Sequence, residues 1–112
     1  MDMVTYPRRD EIWLVSLDPA QGSEIRKTRP ALVVSPNEPN QYLSTVIIAP
    51  LTSMERSYPT RVTIKFQEKR GQVALDQIRS VDQQRLVRKL GTAPAKAAQQ
   101  VSSVLVEMFI RR

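Results

Sequence analysis

The most chemically distinctive part of the sequence is a charged loop that precedes an apolar strand. Residues 20–29 contain four charged side chains, Glu24, Arg26, Lys27 and Arg29. The guanidinium of Arg29 can bind a phosphate through a planar pair of hydrogen bonds, and the carboxylate of Glu24 could accept a proton. Pro30 restricts Arg29 to extended geometry, which favours the fixed charge that electrostatic catalysis requires. The alternative is a solvated loop without function, because exposed charges are common.

Three further residues have side chains suited to the same kind of site. Asp76 is unusual because aspartate is depleted inside strands, yet it lies between Leu75 and Ile78. It is either a carboxylate held for proton transfer or base recognition, or a turn former at the end of a strand. Thr52 and Ser53 end an apolar segment. Their hydroxyls could donate to a phosphate oxygen, or only satisfy a turn.

The composition excludes several classes of enzyme. The 112 residues include no histidine and no cysteine, which excludes imidazole catalysis, thiolate nucleophiles and Cys-type zinc sites. The sequence has no P-loop, no glycine-rich dinucleotide loop and no metal-ligand cluster, so we expect no metal and no cofactor. The 17 Lys and Arg residues outnumber the 11 Asp and Glu residues, and the net charge of +6 favours a polyanionic partner such as nucleic acid.

We expect a single cytoplasmic domain that spans residues 1–112, with residues 1–8 as a flexible N-terminal extension. The first ten residues are not followed by the apolar run of a signal peptide. The longest apolar stretches, Ala31–Val34 and Val46–Leu51, have the length of strands and are too short to span a membrane.

Short strands are the main elements that the sequence pattern predicts. Arg61–Phe66 is the clearest strand, because apolar and polar residues alternate along it. The uniform apolar run Ala31–Ser35 predicts a strand that is buried on both faces. Other strands are predicted at Glu11–Leu17, Thr45–Thr52 and Gln72–Ile78. A turn is predicted at Glu68–Gly71, a turn or a short helical connector at Pro36–Asn40, and a short helix within Val81–Lys89.

A helix is predicted at the end of the chain. Thr92 is its expected N-cap, and Pro94 lies in the first turn, where a missing N–H costs little. Its apolar stripe, which could face the core or a second copy, consists of Val101, Val104, Leu105, Met108 and Phe109. About five strands and one C-terminal helix predict a small barrel or curled sheet of the α+β class.

The remaining aromatic and basic residues have simpler interpretations. Trp13 and Tyr42 could stack on bases, but the position of Trp13 inside a strand favours core packing. Most of the other basic residues are expected to form a solvated shell, from which some could follow a phosphate backbone: Arg56, Arg61, Lys65, Lys69, Arg70, Arg79, Arg85, Arg88 and Lys89.

Five sequence blocks together resemble a known family. They are EIWLVSLDP at 11–19, GSE at 22–24, TRPALVVSP at 28–36, VIIAPLTS at 46–53 and VALDQIRS at 73–80. In this order and spacing they are similar to the signature of the MazF/PemK (Kid) toxins of type II toxin–antitoxin systems. The similarity extends from about Arg9 to the end of the chain.

The resemblance implies a fold, an activity and partners. The fold would be an SH3-like, mostly-β barrel of about five to seven strands with a C-terminal helix, assembled as a homodimer. The activity would be ribosome-independent and metal-independent cleavage of single-stranded mRNA at specific sequences. The 2′-hydroxyl would attack the adjacent phosphate, giving a 2′,3′-cyclic phosphate and a 5′-hydroxyl. A cognate antitoxin with an acidic disordered tail would neutralise the toxin, and operator DNA would be bound only by the toxin–antitoxin complex.

The resemblance also implies roles for individual residues. Arg29 and Thr52 match the family residues that contact the phosphate, whereas Glu24 and Asp76 match carboxylates proposed as the base in different branches. Because Ala74 replaces a second catalytic arginine of the Kid branch, the mechanism with Arg29, Thr52 and Glu24 suits this sequence better. Ser23 replaces a histidine found in Kid-type toxins. The expected RNA-binding residues are Ser23, Arg26, Lys27, Ser53, Arg56, Gln77 and Arg79.

Two alternatives to an endoribonuclease stay open at this point. The first is a catalytically weak toxin homologue that acts as a nucleic-acid-binding, autoregulatory protein. The second is a gyrase poison, because the CcdB toxins share the barrel. Those toxins lack the block that contains Arg29 and Pro30 in this sequence.

Overall fold

A computed structural model describes residues 5–17 and 28–112 of the chain. The strands are β1 (Glu11–Ser16), β2 (Thr28–Val33), β3 (Thr45–Thr52), β4 (Arg61–Phe66), β5 (Lys69–Ala74), β6 (Arg79–Asp82) and β7 (Leu86–Thr92). The α-helices are α1 (Asn37–Tyr42) and α2 (Ala95–Phe109), and single 3-10 turns occupy Leu75–Gln77 and Gln83–Arg85.

The strands that the structure describes form one curled, antiparallel sheet in the order β4-β5-β3-β2-β1-β7, with β6 paired to β3. The first half of β3 pairs with β6 and its last two residues, Leu51 and Thr52, pair with β5. Because β3 takes different partners along its length, the sheet closes toward a small barrel. This architecture with α2 at the end of the chain confirms the predicted mostly-β fold.

The core consists of two clusters on the two faces of β2. Leu32 and Val34 belong to the first cluster, with residues of β4, β5 and α2. Ala31 and Val33 belong to the second cluster, with residues of β1, β3 and β6. Successive side chains of a strand point to opposite faces, so every residue of this apolar run is buried. The prediction that this strand is buried on both faces is confirmed.

The β4–β5 hairpin has a tighter turn than the sequence predicts. Phe66 pairs with Lys69, so only Gln67 and Glu68 connect the strands, and both have positive φ, at 52° and 62°. Positive φ at both central residues is the type I′ geometry, which matches the twist of a hairpin. The predicted turn at Glu68–Gly71 is therefore wrong, since Gly71 already lies within β5. The β4–β5 ladder continues to Arg61 opposite Ala74.

The end of β5 also differs from the prediction. A strand over Gln72–Ile78 is wrong, because β5 ends at Ala74 and the chain turns through the 3-10 helix Leu75–Gln77. This turn contains Asp76, which agrees with its interpretation as a turn former. The short helix predicted within Val81–Lys89 is the 3-10 turn Gln83–Arg85, and strands β6 and β7 occupy the rest of that segment.

Helix α2 begins later and covers less of the core than its stripe predicts. Thr92 is not the N-cap, because it ends β7 opposite Glu11, and the cap position is Pro94. Val101 is buried, and Val104, Leu105 and Met108 pack against the first cluster. Phe109 is 68% exposed, so the contact of the stripe with the first cluster ends at Met108. In the described part of the chain, no helix is long and apolar enough to cross a membrane.

Candidate functional site

An open groove of about 890 Å³ lies between the end of β3 and the β4–β5 hairpin. Six of the predicted site residues line it: Arg29, Thr52, Ser53, Arg56, Asp76 and Gln77. Arg79 does not line the groove; it is exposed on β6, opposite Ile48 of β3. The predicted residues Ser23, Glu24, Arg26 and Lys27 lie outside the described residues.

Arg29 and Thr52 reach the groove from two strands of the central sheet. Arg29 is exposed near the start of β2, where the β1–β2 ladder places it opposite Val15. Thr52 is the last residue of β3, and its Oγ1 accepts a hydrogen bond of 3.1 Å from the N–H of Met54. A hydroxyl that accepts in this way keeps its own hydrogen for donation. Both side chains therefore line the same groove from the ends of neighbouring strands.

Gly71 fixes how closely β5 approaches the end of β3. A Cβ atom at Gly71 would lie 2.9 Å from the carbonyl oxygen of Thr52. Such a contact is too short for a carbon and a backbone oxygen, so only glycine permits this approach. Gly71 thus helps to hold Thr52 at the edge of the groove.

Arg61 also lines the groove, and it was not among the site residues predicted from the sequence. It was expected in the solvated shell, but its side chain is only 6% exposed. Its Nε donates to Oδ1 of Asp76 at 2.8 Å, and its Nη2 donates to Oδ2 at 3.3 Å. The guanidinium carbon also lies 5.1 Å from the ring centroid of Tyr58, in cation–π contact. The prediction that Arg61 belongs to the solvated shell is wrong. Alternation along β4 indicated a solvent-facing side chain, but Asp76 and Tyr58 cover it.

Asp76 is an ionised carboxylate at the wall of the groove. The hydrogen bonds from Arg61 lower its pKa and outweigh the partial burial that would raise it. The same pair raises the pKa of Arg61 above its ordinary value. Thr60 Oγ1 adds a further hydrogen bond of 3.2 Å to Oδ1. Asp76 stays 30% exposed and can still accept a hydrogen bond from a ligand, but its low pKa makes it a weak base.

The two candidate stacking residues lie outside this groove. Trp13 is half-buried against the second core cluster, and its Nε1 donates to Glu11 Oε1 at 3.0 Å, in agreement with the core interpretation. Tyr42 is exposed at the end of α1. Two aromatic side chains line the groove, Tyr58 and Phe66, and neither was selected as a stacking residue from the sequence. The only signal for Tyr58 was its proximity to Arg61 in the sequence.

The family profile described as "PemK-like, MazF-like toxin of type II toxin-antitoxin system" matches residues 8–109. The chain belongs to this toxin family. The predicted resemblance to MazF/PemK is thereby confirmed. Among curated members, the chain is 36% identical over 108 residues to endoribonuclease MazF9 of Mycobacterium tuberculosis, covering 88% of this chain and 92% of that protein.

A second curated member of the MazF/PemK family is endoribonuclease MazF of Staphylococcus saprophyticus. It is 34% identical over 104 residues, covering 88% of this chain and 87% of that protein. Among solved structures, a MazE–MazF crystal structure from Deinococcus radiodurans is similar with a TM-score of 0.79 and 30% identity, covering 94% and 96% of the two chains. The blocks that carry the groove residues Arg29, Thr52 and Asp76 all fall within the segment that the family profile matches.

Proposed function

We propose that this protein is a toxin endoribonuclease that cleaves single-stranded mRNA at specific sequences, without a metal or cofactor. The observation that carries the proposal is that Arg29 and Thr52 line one open groove in a MazF/PemK-type barrel. The curated relatives named endoribonuclease support the same reaction class. The substrate supplies its own nucleophile, so a chain without histidine and cysteine can perform the reaction.

In the proposed reaction, the 2′-oxygen of the substrate forms a bond to the adjacent phosphorus and the bond from phosphorus to the 5′-oxygen breaks. A base removes the proton of the 2′-hydroxyl, and the departing 5′-oxygen takes a proton from the guanidinium of Arg29, which regains one from solvent. The products are a 2′,3′-cyclic phosphate and a 5′-hydroxyl. Arg29 neutralises the charge that develops on the phosphate oxygens, and the Thr52 hydroxyl donates to one of them.

Glu24 is the general base in this proposal, and Asp76 is a recognition group. Both oxygens of Asp76 accept hydrogen bonds from Arg61, and the lowered pKa weakens Asp76 as a proton acceptor. An ionised carboxylate of this kind suits the exposed amino group of a base. Glu24 lies outside the described residues, so its role rests on the family resemblance.

We propose that single-stranded RNA binds in this groove. Arg56 and Lys69 line it with positive charge that can follow the phosphate backbone, and Arg70 lines it in an ion pair of 2.8 Å with Glu55. Tyr58, half exposed on the guanidinium of Arg61, offers a flat surface for an unstacked base. We propose further backbone or base contacts from Ser53, Gln77 and Arg79, and from Ser23, Arg26 and Lys27 of the loop.

We further propose a cytoplasmic homodimer that a cognate antitoxin neutralises. The solved MazE–MazF complex from Deinococcus radiodurans supports a protein partner of this class. An acidic disordered tail would compete with RNA for a surface whose net charge is +6. Operator DNA would be bound only by the toxin–antitoxin complex.

The test is incubation of the purified protein with a long transcript in EDTA. We expect 5′-hydroxyl ends at a defined sequence, lost in Arg29→Ala while the oligomeric state is unchanged. Lys65→Ala, an exposed substitution on the neighbouring β4 strand, is the matched control and should retain cleavage. Intact RNA that is nevertheless bound would indicate the autoregulatory binding protein instead, and inhibition of supercoiling without RNA cleavage would indicate the gyrase poison.

A further inference from the structure

One side of the groove is formed by a segment without regular structure. Residues 53–58, between β3 and β4, are here called the rim segment. Four of its side chains line the groove: Ser53, Met54, Arg56 and Tyr58. Irregular segments do not have a hydrogen-bond ladder of their own, so other groups must fix their conformation. The shape of the groove depends on what those groups are.

A single buried amide replaces the missing ladder. Gln72 lies in β5 and is 8% exposed. Its Oε1 accepts from the N–H of Arg56 at 3.0 Å, and its Nε2 donates to the carbonyl oxygen of Arg56 at 3.1 Å. These are the two hydrogen bonds that a neighbouring strand would make to one residue. The Gln72 side chain therefore binds the rim segment as a strand would.

Arg61 extends the same contact to two further residues of the rim segment, Met54 and Tyr58. Its Nη1 donates to Gln72 Oε1 at 3.3 Å and to the carbonyl oxygen of Met54 at 3.4 Å. Its guanidinium also stacks under the ring of Tyr58. Asp76 holds the guanidinium in this orientation through Nε and Nη2. Gln72 and Arg61 thus hold the rim segment at three of its residues.

We propose that Gln72 is a positioning residue that, through the rim segment, determines which nucleotides beside the cut site the groove accepts. This inference rests on the proposed function. Thr52 pairs with Gln72 through the backbone of the β3–β5 ladder, which a change of the Gln72 side chain leaves in place, and Arg29 lies on β2, which is not a neighbour of β5 in the sheet. A looser rim segment would therefore weaken RNA binding and broaden selectivity, while the rate of the chemical step stays near its original value.

The test compares three variants with the wild-type protein. Gln72→Met keeps the side-chain length and removes both hydrogen bonds to Arg56. Gln72→Glu keeps the acceptor for the N–H of Arg56 and for Arg61 but loses the donor. Gln99→Met makes the same chemical change at an exposed position of α2 and is the control. The readouts are hydrogen exchange of the Arg56 amide, kcat and KM on a short RNA, and the distribution of cut sites in a long transcript.

We expect the Arg56 amide to exchange about tenfold faster in Gln72→Met, because the loss of the hydrogen bond from that N–H has a net effect of this order, and we expect KM to rise by a similar factor. The cut sites of Gln72→Met should become more varied, and its kcat should stay within about twofold of the wild-type value. Loss of a contact made only in the transition state would instead lower kcat. Gln72→Glu should show intermediate changes, and Gln99→Met none.

Different outcomes contradict different claims. A fall in kcat with unchanged KM, or an unchanged cut-site distribution, would overturn the role of Gln72 in selectivity. Unchanged exchange at the Arg56 amide would overturn the positioning itself. If the wild-type protein leaves RNA intact while Arg56 exchange still depends on Gln72, the proposed function fails and the positioning contact stands.

Discussion

Glu11 and Asp76 are both carboxylates with a cationic partner and a lowered pKa, but they lie in different surroundings. Burial would raise the pKa of Glu11, yet the backbone N–H of Arg8, the indole of Trp13 and the ammonium of Lys89 outweigh it. The pKa of Asp76 is lowered first by its hydrogen bonds from Arg61. The Glu11 side chain is 11% exposed, and Asp76 is 30% exposed at the wall of the groove.

The contrast shows that a lowered pKa does not by itself identify a functional residue. Glu11 connects β1 to β7 through an ion pair of 3.0 Å with Lys89 and does not line the groove. Asp76 belongs to the network that shapes the groove. We interpret Glu11 as a residue of the fold and Asp76 as a residue of the site, and substitutions in the two regions should separate these roles.

The largest expected difference lies between two cations, one from each region. Arg29→Ala should lower kcat/KM for RNA cleavage by a factor on the order of 10²–10³, because it removes a charge aimed at the transition state. Lys89→Ala removes the partner of Glu11 and should leave kcat/KM unchanged. Steady-state cleavage of a short RNA measures both, and equal losses in the two variants would remove the distinction between the regions.

The two carboxylates themselves give the next largest effect. Asp76→Asn should lower kcat/KM about tenfold, because the substitution loses the ion pair and a charged acceptor for the base. Glu11→Gln should not change cleavage. A pH–rate profile adds a second readout: if Glu24 is the base, the acid limb persists in Asp76→Asn and disappears in Glu24→Gln. Loss of the limb in Asp76→Asn would assign the base to Asp76 instead.

A smaller effect on stability should appear for Glu11. The folded-state pKa of Glu11 is below its unfolded-state value. The ionised side chain therefore adds to the free energy of unfolding at pH values above the ordinary glutamate pKa of about 4.3, and this stabilisation is lost as the pH falls through the folded-state pKa. Glu11→Gln should lower the free energy of unfolding by about 1 kcal/mol at pH 7 and by less at pH 3. Urea unfolding at the two pH values measures this. An equal cost at both would contradict the ionic role of Glu11.

The smallest effect concerns the salt dependence of RNA binding. Arg56→Ala in the groove should reduce the magnitude of the slope of log K, where K is the RNA-binding constant, against the logarithm of the salt concentration by about 1, because one phosphate contact is lost. Lys89→Ala should leave the slope unchanged, because the Lys89 ammonium is paired with Glu11 away from the groove. Fluorescence titrations at several salt concentrations give both slopes.

Much of the fold could be predicted because it depends on local patterns. The bounds of β3 and β4 agree with the prediction, since prolines, polar residues and alternation mark where these strands begin and end. The burial of Ala31–Val34 could be predicted because all four residues are apolar, whereas a strand with one solvent-facing side would alternate apolar and polar residues. Arg29 and Thr52 were selected as site residues because Pro30 fixes the first and the second ends a strand.

The network behind the groove could not be predicted because it depends on contacts across strands. Arg61 and Asp76 are fifteen positions apart, and only the β4–β5 register brings Arg61 opposite Ala74 and within reach of Asp76. Strand alternation placed Arg61 on a wet face, which Tyr58 in fact covers. The contact of Gln72 with Arg56 involves an irregular segment, and no sequence pattern indicates where such a segment folds back.

The most direct test of the central claim uses RNA oligonucleotides that contain one cut site in EDTA. In one oligonucleotide, a single 2′-deoxynucleotide replaces the nucleotide on the 5′ side of the cut; in a control, it lies elsewhere. We expect no cleavage of the first and normal cleavage of the control, with 2′,3′-cyclic phosphate and 5′-hydroxyl ends. Cleavage of both, or products with 5′-phosphate ends, would contradict attack by the substrate's own 2′-hydroxyl in the groove formed by Arg29 and Thr52.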